Sequence, residues 1–166
     1  MSRSYQRLQA LQEEVEEALE DGDLPLARQR AQEWLEADTD PTAWHYGNTI
    51  HNANQFLGLV AVREGDLEAA KRYLLAAGNS PGSPQLNTFG PQMHLAQTLL
   101  SREEGDCVLE YLDLVAKFWC SSQPVPNLFA QLLSRYGTTQ NARKLMHWKL
   151  AIQAGEQPRL NRVNLV

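Results

Sequence analysis

Between Asn48 and Val62, the apolar residues Ile50, Ala53, Leu57 and Val60 return at three- and four-residue intervals, while Asn48, Asn52 and Gln55 share another side of the same helix. The helical rhythm recurs along the chain, and no stretch alternates in the two-residue rhythm of a strand. The pattern predicts eight helices: Ser4–Asp21, Pro25–Ala37, Thr42–Glu64, Leu67–Ala77, Gln92–Glu104, Cys107–Cys120, Pro126–Tyr136 and Thr139–Ala154. Prolines at 41, 81, 84, 91, 124 and 126 fall at or beyond the expected helix ends, as their fixed φ and missing N–H require. The expected fold is all-α, with Leu57, Val60, Ala61, Ala70, Leu74, Leu95, Leu99, Leu114, Phe118, Leu132 and Met146 in the core.

Gly-Asp recurs at Gly22-Asp23, Gly65-Asp66 and Gly105-Asp106, spaced 43 and 40 residues apart, each time between two helix-like runs. Glycine ends a helix by taking a left-handed conformation that costs a residue with a Cβ. The following Asp caps the next helix by accepting a backbone N–H. Each unit is therefore expected to be a helical hairpin, with a fourth broken at Gly137 and capped by Thr138 or Thr139. Residues 1–155 read as a single domain of about four such hairpins, and 156–166 as an extended or mobile tail. The longest connection, Asn79 to Pro91, exceeds a usual helix–helix loop and suits either a spacer or a cap on a neighbouring groove.

In the second unit Leu57-Gly58, Ala61, Gly65, Ala70, Leu74 and Ala77 stand at tetratricopeptide-repeat offsets, so residues 52–82 resemble that family. The first unit departs by placing Trp34 at the last alanine position, and the third by placing Glu110 and Lys117 at the alanine positions. The resemblance implies a right-handed superhelix of antiparallel helix pairs whose A helices line a concave groove. Carried over by register, the ligand-facing positions are Gln9, Gln12 and Glu16; Asn52, Gln55, Leu59 and Val62, with His45 and Asn48 extending that stripe by helical spacing; Gln92, Leu95, Leu99 and Arg102; and Asn127, Gln131 and Ser134. Amides dominate this stripe. With Arg102 its only strong cation, the family's capture of a C-terminal carboxylate does not carry over, whereas carboxamides suit an extended peptide backbone.

Composition narrows the function further. The chain has 166 residues and a formal charge of −5, which opposes nonspecific nucleic-acid binding, and its longest apolar run is too short to cross a bilayer. Nineteen of the 20 carboxylates lie in residues 1–113, while the last third is basic, so head-to-tail association of two copies is one possible homo-oligomer. The acidic first helix is unlike a signal peptide, and Cys107 and Cys120 have neither zinc nor redox spacing; a cytoplasmic protein with plain thiols is expected. His45 and His51 diverge by about 240° on one helix, and no cofactor, metal, phosphate-loop or nucleophile motif is present. The expected function is a non-catalytic interaction module that holds a peptide or helix in an amide-lined groove. The alternative is an enzyme or small-molecule binder that gathers His45, His51 and His94 near the 79–91 loop.

Overall fold

A computed structural model describes residues 3–120 and 128–161, with side chains described for 4–120 and 140–161. The described residues form eight helices and no strand: α1 (Arg3–Asp21), α2 (Leu24–Ala37), α3 (Tyr46–Glu64), α4 (Leu67–Gly78), α5 (Pro84–Phe89), α6 (His94–Leu100), α7 (Gly105–Trp119) and α8 (Leu128–Gln153). Neighbours pack on one another: α1 on α2, α2 on α3, α3 on α4, α4 on α7, and α7 on α8. The short α5 and α6 sit between α3 and α7.

The first two Gly-Asp turns are built as expected. Gly65 takes φ 84°, Asp66 N–H donates to Ala61 O at 2.9 Å, and Asp66 Oδ1 accepts from Ala69 N at 2.9 Å. Gly22 and Asp23 repeat this, with φ 78°, Asp23 N to Ala18 O at 2.8 Å, and Leu26 N to Asp23 Oδ1 at 3.0 Å. Carbonyls orphaned at one helix end and N–H groups orphaned at the next are thus satisfied within a few residues.

The third turn differs. Its left-handed residue is Glu103, at φ 67°, and Glu104 N–H donates to Leu99 O, so α7 has already begun at Gly105. Gly105 instead allows a close approach, since a Cβ there would lie 3.3 Å from Ile152 Cγ2 on α8. The expected break at Gly137 does not occur, and α8 runs through it as one helix of 26 residues. A lone glycine costs a helix only about 1 kcal/mol against alanine, too little to end one. The left-handed stop comes at Gly155, φ 80°, with Glu156 N to Ala151 O at 2.9 Å.

Α larger core than expected follows from this arrangement. Ala61, Ala70, Leu74, Leu95, Leu99 and Phe118 are buried in one cluster with a fully enclosed Tyr111, and Leu57 and Val60 in another with Val15, Ala18 and Ala27. Leu114 is only half-buried, and Leu132 lies outside the described side chains. Met146 is 59% exposed, which corrects its placement in the core. The inward face of α8 carries Leu145, Trp148 and Ile152, and Met146 and Leu150 fall roughly 130° and roughly 170° round the helix from its centre. Beyond α8, Leu160 is buried and its N–H donates to Gln97 Oε1 at 2.8 Å, which docks the chain after α8 on α6. No described helix is long and apolar enough to cross a membrane.

A Cβ at Gly65 would meet nothing within 4 Å, so a substitution there reads backbone strain alone. Gly65→Val is expected to lower unfolding free energy by about 1–2 kcal/mol in denaturant titrations, and Gly65→Asn by clearly less.

Candidate functional site

The 79–91 connection, expected to be a spacer or a cap on a groove, contains a short helix and forms an ordered clip. Ser83 Oγ accepts from Leu86 N at 3.0 Å, Pro84 supplies a first-turn φ, and Gly90 closes α5 with N–H to Leu86 O at 2.9 Å. The Ser-Pro start and glycine stop were legible in the sequence; the helix was overlooked because it spans only six residues. The clip lies against the N-terminal turn of α3. Ser80 Oγ donates to Gly47 O at 2.7 Å, and a Cβ on Gly47 would fall 1.9 Å from Gly82 O, so only glycine admits this contact.

Two side chains of α3 then fasten the following segment. His51 is fully buried; its Nε2 accepts from Gln92 N at 2.9 Å, which leaves Nδ1 to donate to Ala77 O at 3.0 Å. Gln55, 3% exposed, donates to Tyr111 Oη at 3.2 Å and accepts from Leu95 N at 3.4 Å, and Tyr111 donates to Gln92 O at 2.7 Å. Gln55 is therefore a core amide with both ends bonded, at the inner edge of a groove rather than displayed along it.

Against this framework α1 and α3 enclose a polar cleft of about 300 Å³. Gln9 and Gln12 come from α1, His45, Asn48, Thr49 and Asn52 from the start of α3 and the residue before it, Gln85 from α5, and Trp34 from α2. Some of these groups are already engaged: Asn48 accepts from Ser83 Oγ at 2.5 Å and donates to Gln85, and Gln12 donates to Glu16 at 2.9 Å. Gln9 and Asn52 have amides with no partner among the described residues. His45 is oriented from behind. Asp38, 5% exposed at the end of α2, accepts from Thr49 Oγ1 at 2.6 Å and from His45 Nδ1 at 3.0 Å. A carboxylate only accepts, so Nδ1 carries a proton toward Asp38. The rings of Tyr5 and Trp44 stand 5.1 and 5.4 Å from the imidazole.

Further along the same helix pair lies a second cleft of about 320 Å³, edged by Glu16, Glu20, Arg63, Gln55, Gln92 and His94. The expected groove residues thus divide. His45, Asn48 and Asn52 share the first cleft; Gln55 and Gln92 share the second; Arg102 is exposed after α6 and lines neither. Gln131 is on α8, which packs on α7, with its side chain outside the described residues, and Asn127 lies outside them altogether. Leu95 and Leu99, placed on the same stripe, are buried in the core. The three histidines do not converge: His45 faces the first cleft, His51 is sealed inside, and His94 is exposed beside the second. Asp38, Trp34, Tyr5 and Gln85 carry no local signal, because no helical spacing links α1, α2 or α5 to His45; Thr49, four residues after His45, is within reach of that spacing.

Cys107 and Cys120 are unbridged and half-buried. Burial, reinforced by Glu110, raises the Cys107 thiol to about 11, and burial alone raises that of Cys120. No family model, curated protein or solved structure matches this chain.

Two expectations follow from this geometry. Gln55→Ala should destabilise the fold by about 1–3 kcal/mol through the partners it orphans, whereas Asn52→Ala should stay within about 0.5 kcal/mol; chemical denaturation of the two single variants measures both. Because alkylation proceeds through the thiolate, Cys107 in the native protein should react with iodoacetamide in mildly alkaline buffer about a hundredfold more slowly than a cysteine with the ordinary value of 9.0. Mass spectrometry of the labelled peptide reads this directly.

Proposed function

We propose that this chain is a non-catalytic interaction module, a right-handed tetratricopeptide-like stack, that holds a peptide or helix of a protein partner along the α1–α3 groove. One observation supports this reading above the others: facing helices α1 and α3 present carboxamides without protein partners, Gln9 and Asn52, to a cleft whose remaining amides are spent on holding its walls. A carboxamide offers donors and an acceptor together, which matches the backbone of an extended segment. The second cleft follows one turn further along both helices, at Glu16 and Gln55, and extends the same surface.

Affinity selection from a library of random short peptides tests the proposal. The wild-type chain should enrich a defined set of peptides. Asn52→Ala and Gln9→Ala should each weaken the best of them by about 1–3 kcal/mol, the cost of polar groups left without partners, with unchanged melting temperature. Failure to enrich any peptide, or enrichment indifferent to both substitutions, would overturn it.

A further inference from the structure

Among the described residues α8 packs on α7 and on no other helix, so its far side carries no neighbour. Leu112 and Ala116 of α7 and Ala142, Leu145, Met146 and Leu150 of α8 line an open groove of about 370 Å³ between the two helices. Met146 and Leu150, one turn apart, are each 59% exposed. The other exposed large apolar side chains, Leu26, Trp44 and Phe89, stand singly at separate places in the chain, whereas this pair and its groove form a contiguous apolar patch of the kind that marks an interface.

Charge decides among the possible occupants. The exposed charges of α7 are Asp106, Glu110 and Asp113, with Lys117 in the last turn. The described side chains of α8 include no carboxylate, and Arg143, His147 and Lys149 surround Met146 and Leu150. Asp113 accepts from Lys149 across the groove yet stays 63% exposed, and Arg143 has no carboxylate partner among the described residues. The two halves of the face thus carry opposite signs. An acidic partner would gain along α8 and lose along α7, and a basic one would do the reverse. A second copy turned through a two-fold axis lays each helix on the unlike one, and both halves gain.

We propose that two copies of this chain pair through the α7–α8 face, with α8 of each lying on α7 of the other and Met146 and Leu150 of each seated on the other's groove. The contact uses neither cleft of the α1–α3 groove. It is also closed, whereas head-to-tail association adds copies without limit. The 15 residues of α7 span about 22 Å, and a face two helices wide and that long covers on the order of 450 Å², less than the roughly 800 Å² per copy of a standard interface. The dimer is therefore weak and builds up with concentration.

Sedimentation velocity of the full chain, from about 5 μM to about 1 mM, should show a single step from monomer to dimer. Met146→Glu and Leu150→Glu each press a carboxylate against apolar surface and should weaken the dimer at least about tenfold, with unchanged melting temperature because both side chains are exposed. Charge reversal gives a second reading. A variant with Arg143→Glu and Lys149→Glu, and another with Asp106→Lys and Asp113→Lys, should each self-associate less than the wild type, and an equimolar mixture of the two should regain dimers. A chain that stays monomeric throughout, or a dimer indifferent to Met146→Glu and Leu150→Glu, would overturn the inference. So would a mass that climbs past two copies, which is the signature of head-to-tail association, or a mixture of the charge variants that associates no better than either alone.

Discussion

The seating of residues 79–95 on α3 fixes one wall of the groove and the side chains of Asn48, His51 and Gln55. It depends on the absence of a side chain at Gly47, where any Cβ would collide with the Gly82 carbonyl oxygen. With the two backbones in contact, Ser80, Asn48, His51 and Gln55 each reach a partner on the opposite segment. These bonds are buried or half-buried, so losing one partner leaves a desolvated group behind, at about 1–3 kcal/mol. The segment is therefore held as a unit, and α5 becomes a wall of the first cleft instead of a free connection.

Glycine has two physical roles in this fold. At Gly22, Gly65 and Gly155 the backbone is left-handed and helices end, with the next N–H reaching back five residues to a stranded carbonyl. At Gly47, Gly58 and Gly105 the backbone is helical or nearly so, and the missing Cβ lets another element come close: Gly82 O, Leu95 Cδ2 and Ile152 Cγ2 respectively. Gly105 shows how the roles are confused by sequence pattern. Its Gly-Asp resembles the other turns, but Glu103 has taken the left-handed position, and the glycine serves contact with α8.

Carboxamides show the same dependence on context. Asn48 fastens α5 to α3, Gln55 bridges α3 to α6 and α7 inside the core, Gln12 pairs along its own helix with Glu16, and Gln97 receives the N–H of Leu160 from the docked tail. Of the carboxamides lining the first cleft, Gln9 and Asn52 have no partner among the described residues. Side-chain type alone does not distinguish these uses, because each is decided by what lies within about 3 Å of the amide once distant segments are in place.

Helix identity and most boundaries of α1 to α4 and α7 were legible in the sequence, since apolar spacing and the Gly-Asp signals at 22–23 and 65–66 act within a few residues of one another. So was the shared helix face of His45, Asn48 and Asn52, which is a matter of 100° per residue. Other features depended on contacts that carry no local signal: the continuity of α8 through Gly137, the outward turn of Met146, the burial of His51 and Gln55, and the Asp38–His45 contact. A periodic pattern tells which side of a helix is apolar, and it is silent on whether a polar residue at the border will meet water or a buried backbone N–H. For Gln55 that was settled by Leu95 and Tyr111, 40 and 56 residues away, and only the packing of α6 and α7 against α3 brings them to it.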